Sequence, residues 1–291
     1  MLIYTKSGKA DFKSPPIKNS SCERQKMSDL FLTWASDCTE ENISEYLVYF
    51  KSLKNKARDA DVVCLTHSLA PEHAFKISAL GCRVKQVASC EWVLRDRWFH
   101  FWDYLSSHSD HYDCVLICDS RDVLVQGDPF IFLRRSWPKK ILVTSEGFNH
   151  IDSQWNMAEQ LEAQKSLPVE LRNYVFWPVV NGGVVLGRIQ PVRNFCFLVW
   201  SAVMRNTAAC TDQAVINYLM SFLKNDPDYR ICDPHDSLLC ITGEGVKNSL
   251  LKFVPIFKDG KICNSDAQPY ILFHQWDRTI FKQEILNQFS A

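Results

Sequence analysis

Two acidic residues, Asp119 and Asp122, follow directly on the apolar run Asp113-Cys114-Val115-Leu116-Ile117-Cys118. In an open parallel sheet, ligands bind beyond the carboxyl ends of the strands, and carboxylates there need a cation to neutralise them. Two carboxylates within four residues suit a hard divalent ion such as Mn²⁺ or Mg²⁺, whose remaining sites accept diphosphate oxygens. Such an ion would stabilise a departing nucleoside diphosphate as a Lewis acid. A plain turn, with Asp119 capping amides and Arg121 paired to Asp122, explains the same residues.

Three further segments carry residue types suited to a site. Asn181-Gly182-Gly183 precedes the apolar run Val184-Val185-Leu186, and paired glycines allow backbone to approach a ligand, or simply a tight turn. Thr211-Asp212-Gln213 opens an apolar helix pattern, with Thr211 as the N-cap and Asp212 favoured by the helix dipole. His274 ends the run Tyr270-Ile271-Leu272-Phe273 and is a candidate third metal ligand.

The elements that must position these residues alternate between strand and helix. Strand-like runs are expected at Leu30 to Ala35, Asp61 to Thr66, Cys82 to Ala88 and Asp113 to Cys118. Helices are expected from Thr39, over Pro71 to Leu80 and over Glu91 to Leu105. The second half offers strands at Lys140 to Ser145, Val184 to Leu186, Tyr229 to Cys232, Leu250 to Ile256 and Tyr270 to His274. Its helices are expected over Gln154 to Leu171, Pro191 to Met204 and Asp212 to Leu223, with a short one from Thr279. This alternation implies an α/β fold, a mostly parallel central sheet with helices on both faces.

Composition narrows the function classes. The 33 basic and 33 acidic side chains cancel and no basic block occurs, which argues against nucleic acid as a partner. No stretch approaches the ~20 apolar residues of a membrane span. The twelve cysteines show no CxxC pair or Cys/His cluster of zinc-ligand spacing, and several sit within apolar runs. A reduced, cytoplasmic chain is the reading that follows. Residues 1–27 read as a flexible arm, and residues 28–291 as a single domain.

Taken in order, Asp119 to Asp122, Asn181-Gly182-Gly183, Asp212-Gln213 and His274 resemble the GT-A glycosyltransferases, above all the relatives of glycosyltransferase family 8. That family shows a strand ending in Asp-x-Asp, an Asn-Ala-Gly-like segment, an Asp-Gln opening a helix and a C-terminal metal-binding His. The likeness spans roughly residues 29 to 278. It implies a GT-A fold in which residues 28–135 bind nucleotide and 136–291 shape the acceptor site. It also implies Mn²⁺ (or Mg²⁺) on Asp119, Asp122 and His274. The motif here is one residue longer than Asp-x-Asp, which leaves open whether Asp119, Asp122 or both touch the metal.

The implied reaction moves a sugar from a nucleoside-diphosphate sugar to a glycan or other hydroxyl acceptor, with retention of configuration. Asp212 and Gln213 would face the donor sugar, and Asn181, Gly182 and Gly183 would line the substrate site. Arg97 is a candidate donor contact, with a surface ion pair to Asp96 or Asp103 as its competitor. Arg278 would neutralise the leaving diphosphate. Glu146 is a spare carboxylate that could serve as general base in an inverting reaction. A sugar-phosphate nucleotidyltransferase fits less well, because residues 35–42 lack the glycine-rich basic loop that holds a triphosphate. A non-catalytic sugar- or nucleotide-binding protein of the same fold is the remaining alternative.

Overall fold

The computed structural model describes residues 27–54, 56, 59–136, 141–167, 175–205, 211–234, 239–241 and 254–290. All but the last residue of the expected N-terminal arm lies outside them, as do Lys140, residues 168–171 of the expected helix and residues 250–253 of an expected strand.

Strand and helix alternate through the first half: β1 (Ser28–Trp34), α1 (Ile43–Lys54), β2 (Ala60–Thr66), α2 (Pro71–Ser78), β3 (Arg83–Gln86), α3 (Val93–His108) and β4 (Tyr112–Asp119). Then come β5 (Val123–Val125), α4 (Pro129–Ser136), β6 (Ile141–Asn149), α5 (Gln154–Ala163), β7 (Pro178–Arg188), α6 (Ile189–Arg205) and α7 (Asp212–Leu223). The remainder is β8 (Tyr229–Cys232), β9 (Leu239–Ile241), β10 (Ile256–Lys258), β11 (Lys261–Cys263), β12 (Leu272–His274) and α8 (Lys282–Phe289).

Seven strands form the main sheet in the order β3-β2-β1-β4-β7-β6-β8. Only β7 runs against its neighbours, pairing antiparallel with both β4 and β6. The sheet is therefore mostly parallel and α/β, as the apolar strand runs imply. Period-two alternation sends successive side chains to opposite faces. Leu30, Leu32, Val115 and Ile117 pack with Trp98 and Phe101 of α3 and with the apolar stripes of α6 and α7. Phe31, Cys64, Cys114, Leu116 and Cys118 face the other way, against Tyr49 and Phe50 of α1 and Phe130 and Leu133 of α4. The strand cysteines thus act as small apolar residues, and nine cysteines, among them Cys64, Cys114, Cys118 and Cys232, are free thiols.

Several boundaries differ from the sequence expectation. Helix α1 starts at Ile43, not Thr39, because residues 39–42 form a turn in which the Asn42 side chain accepts from the Thr39 N–H at 2.7 Å. Helix α3 starts at Val93 because Asp96 Oδ2 accepts from the Glu91 and Trp92 amides, closing the helix start from within. Of the strand expected over Leu250 to Ile256, residues 254 and 255 are not strand, and β10 begins at Ile256. The largest correction concerns Asn181-Gly182-Gly183, which is no turn but the interior of β7. Val143 of β6 pairs Val185 and the next residue, Thr144, pairs Asn181. One step on β6 thus spans four on β7, a bulge that re-aims the backbone around the glycines.

A second sheet, β5-β12-β9, lays the C-terminal strand against the segment that follows β4. His274 pairs Val123, and the Gln275 amide donates to the Asp122 carbonyl at 2.7 Å. Backbone bonds thus clamp together the Asp122–Val123 and His274–Gln275 segments, which are far apart in sequence.

Candidate metal centre and donor cleft

Asp119 is the last residue of β4, and its strand end is fixed from β1. Thr33 Oγ1 donates to the Cys118 carbonyl at 2.6 Å, and Ser120 Oγ donates to the Trp34 carbonyl at 2.7 Å. Asp122 lies three residues on, buried, just before β5. His274 enters from β12 with its Nε2 atom 3.2 Å from Asp122 Oδ1 and 3.6 Å from Asp119 Oδ2. One ligand atom of each of these three residues lies within 4.8 Å of the others. Both aspartates therefore reach the same point, and the extra residue between them is absorbed by the turn.

The donor set fits a divalent cation. Two carboxylate oxygens and one imidazole nitrogen suit Mn²⁺ and accept Mg²⁺. The buried Asp122 Oδ1 has the His274 Nε2 atom beside it at 3.2 Å but makes no well-formed hydrogen bond among the described residues, a costly state that a cation would relieve. Space is kept by Gly183, where a Cβ would fall 2.4 Å from His274 Cε1 and 2.6 Å from Asp119 Oδ2. Charges around the centre are strongly perturbed. Burial disfavours the His274 imidazolium, but Asp122 and Asp119 outweigh it and raise the pKa to about 10. Burial likewise works against the Asp119 carboxylate, but Arg97 and His274 hold its pKa down at about 2. The pocket demands positive charge, and a metal would supply it in place of the histidine proton.

Two other clusters with ligating atoms are less suited to a metal. Asp29 and Asp113 are already paired with Arg134, and Asp113 also with Arg188. In the Glu40–Glu72–His73 group both glutamates are exposed, and Glu40 is shared by His73 and Lys76.

Arg97 does not pair with Asp96 or Asp103. From α3 it reaches inward, donating through Nη1 to Asp119 Oδ1 at 3.0 Å and through Nε to Asp212 Oδ2 at 2.9 Å. Trp98 Nε1 donates to the same Asp212 oxygen at 2.7 Å. Asp212 is buried and committed to Arg97 and Trp98, so it ties the start of α7 to α3. Arg121 does not pair with Asp122 either; its nearest carboxylates belong to Glu45 and Asp277, each at 3.8 Å. Arg278 lies 3.9 Å from Asp122 Oδ2 and is half exposed.

The open cleft in front of these groups has a volume of about 800 Å³. Asp119, Asp122, His274, Arg97 and Arg278 line one part, and Asn181, Gly182, Gly183, Asp212 and Gln213 its floor. Glu146, Trp155 and Gln275 line it as well. Helix α7 begins as its sequence implies, with Thr211 Oγ1 accepting from the Ala214 amide. Asn156 and Trp155 carry no motif; only the Ser153 N-cap before them hints at a fixed helix start.

Sequence comparison offers no relative: no protein-family model matches the chain, and no curated protein does. Solved structures do. The galactosyltransferase LgtC, bound to donor and acceptor sugar analogues, superposes with a TM-score of 0.51 at 12% identity, over 90% of this chain and 96% of that one. An active-site mutant of LgtC gives a TM-score of 0.53 at 12% identity, over 90% of this chain and 95% of that one. The apo glycosyltransferase GlyE of Streptococcus pneumoniae gives 0.51 at 13% identity, over 92% of this chain but only 61% of that one. The chain has the GT-A glycosyltransferase fold. Within this GT-A framework the metal-type cluster sits at the end of β4.

A buried histidine outside the metal cluster ties the floor together. His150 Nε2 donates to Asn217 Oδ1 at 3.0 Å, and Asn217 in turn bonds the Val180 backbone and the Gln213 carbonyl. Burial lowers the His150 pKa to about 4. The unfolded chain therefore binds this proton more readily between pH 6.5 and 4, so the stability contribution is complete above pH 6.5 and is lost as pH falls through that window. About 3 kcal/mol is at stake. Denaturant titrations at pH 7.5 and 4 should show His150→Gln losing about 3 kcal/mol less than the parent; equal losses would contradict the assignment.

Proposed function

We propose that this protein is a metal-dependent glycosyltransferase that moves a sugar from a nucleoside-diphosphate sugar to a hydroxyl acceptor. The observation that carries the reading is the convergence of Asp119, Asp122 and His274 beside Arg97 and Arg278 at one cleft of a GT-A fold. Residues 28–291 would act as one catalytic domain, its nucleotide-binding and acceptor halves sharing the metal centre, since His274 comes from the second half. Among the described residues no helix is long and apolar enough to cross a membrane. We place the protein in the cytoplasm, a compartment that keeps free cysteines reduced.

Asp119, Asp122 and His274 would hold Mn²⁺ or Mg²⁺, which when bound supplies Lewis-acid stabilisation of the departing diphosphate. Arg278, half exposed at the cleft, adds a second positive charge for the leaving group. Arg97 is held firmly protonated by Asp212 and Asp119 despite its burial. It is placed to donate to phosphate or sugar oxygens entering beside Asp119. Asp212 thereby acts through Arg97, while Gln213 faces the donor sugar. Asn181, Gly182 and Gly183 form the floor on which that sugar lies. Transfer with retention is the stereochemical course we assign, because Gln213 and not a free carboxylate stands where the sugar would sit.

Trp155 is 45% exposed in the first turn of α5, at the edge of the same cleft. An indole so placed offers an apolar face for an acceptor sugar ring. Trp155→Ala should raise acceptor KM about tenfold without changing donor KM; an unchanged acceptor KM would remove Trp155 from the acceptor site. The function itself is tested by incubating the protein with UDP- and GDP-sugars and measuring release of the nucleoside diphosphate. Release that requires Mn²⁺ and stops with EDTA supports the reading; no release from any donor contradicts it.

A further inference from the structure

The floor of the cleft is a buried polar network with a defined direction. Glu146, near the end of β6, is buried, as are Asn156 of α5 and Asn181 of β7. Its Oε1 atom accepts from Asn181 Nδ2 at 2.9 Å and from Gln213 Nε2 at 3.0 Å. Gln213 Nε2 also donates to Asn156 Oδ1 at 3.0 Å. The opposite ends of both amides then meet donors: Gly183 N–H donates to Asn181 Oδ1 at 2.7 Å, and Gln213 Oε1 accepts from Asn181 Nδ2 at 3.3 Å and from Gly182 N–H at 3.4 Å.

A primary amide is nearly symmetric in shape, so something must decide which end points where. A carboxylate only accepts hydrogen bonds, and Glu146 therefore takes the NH₂ end of each amide it touches. With both NH₂ groups drawn to Glu146, the carbonyl oxygens are left on the side of the Gly182–Gly183 backbone that lines the cleft. We propose that Glu146 is a positioning residue that sets the orientation of Gln213 and Asn181, so that Gln213 presents its carbonyl oxygen, not its NH₂, to the donor sugar. This rests on the glycosyltransferase reading for its consequence, but the orientation itself does not. An oxygen at that place favours the positive charge that develops at the anomeric carbon, whereas an NH₂ group would oppose it. Glu146 in this role is not the general base of an inverting reaction.

The test replaces the acceptor-only group and then restores it from the other side. Glu146→Gln can present either end of its own amide, so Gln213 loses the one charged acceptor that holds its NH₂ end in place, and only the neutral Asn156 acceptor and the donors on its oxygen remain. Adding Asn156→Asp places a carboxylate on the same Gln213 Nε2 atom and should lock it again. With full-length protein loaded with Mn²⁺, Glu146→Gln should lower kcat for donor turnover by about tenfold to hundredfold with donor KM little changed. The double variant should recover most of that loss. In parallel, the Gln213 side-chain NH₂ pair is followed in ¹H–¹⁵N correlation spectra and identified by its absence in Gln213→Glu. It should move in Glu146→Gln and return in the double variant. An unmoved Gln213 pair, or a kcat loss that Asn156→Asp does not restore, overturns the proposal. If the parent protein turns over no donor, the glycosyltransferase reading fails instead, and the Gln213 signals still report whether Glu146 orients the amide.

Discussion

Asp122→Ala should lower donor turnover by about 10³-fold while leaving the fold in place. The residue is buried, and among the described residues its ion-pair partners are His274 Nε2 at 3.2 Å and Arg278 at 3.9 Å. Its structural work is done by the backbone carbonyl, which accepts from the Gln275 and Trp276 amides and survives the substitution. The loss therefore falls on the centre that would hold the metal: of three protein ligands, one of two carboxylates is removed. Asp122→Asn, which keeps the shape but not the charge, should be nearly as damaged. Steady-state release of nucleoside diphosphate, with far-ultraviolet circular dichroism as the check on folding, measures both. Turnover within tenfold of the parent would show that Asp122 holds no metal.

Gly183→Ala should be the second severe change, and for a steric reason. Its new Cβ would lie 2.4 Å from His274 Cε1, 2.6 Å from Asp119 Oδ2 and 3.0 Å from Asn181 Oδ1. None of these can yield cheaply, because His274 is held in β12 against β5 and Asp119 at the end of β4. The ligands must separate, and metal affinity should fall by about tenfold to hundredfold. The neighbouring glycine is the control: at Gly182 the nearest atom is Ile216 Cδ1 at 3.2 Å, the far end of a flexible side chain. Gly182→Ala should bind Mn²⁺ almost as the parent does. Equal affinities for the Gly183 and Gly182 variants, measured by Mn²⁺ titration, would contradict this account of the glycine pair.

What could be read from sequence was local. Strand β4 and the start of α7 announced themselves through continuous apolar residues and a Thr cap, and both stand within a residue of their expected limits. The order of the acidic motif, the glycine pair, Asp212-Gln213 and His274 was legible through its resemblance to a known family, although of these residues only Asp119 ends a parallel strand of the main sheet. The errors arose where a partner far along the chain decided the outcome. Arg97 was weighed against Asp96 and Asp103, yet residues one and six apart on a helix do not share a face. Its carboxylates belong to Asp119 and to Asp212, the latter 115 positions away. The glycines looked like a turn because nothing local shows that Thr144 pairs Asn181 and so opens a bulge. Asn156 was silent for the same reason: an asparagine in a polar helix gains meaning only when Gln213 packs beside it.

In the proposed reaction the Asp119–Asp122–His274 cluster binds a nucleoside diphosphate through a divalent metal. Calorimetric titration of UDP and of GDP into the parent protein, with Mn²⁺ and again with EDTA, tests it most directly, with Asp122→Ala measured alongside. Saturable binding of one nucleotide that needs Mn²⁺ and disappears in the variant is the expected result. Binding that survives EDTA and Asp122→Ala unchanged, or no binding of either nucleotide under any metal condition, would contradict it.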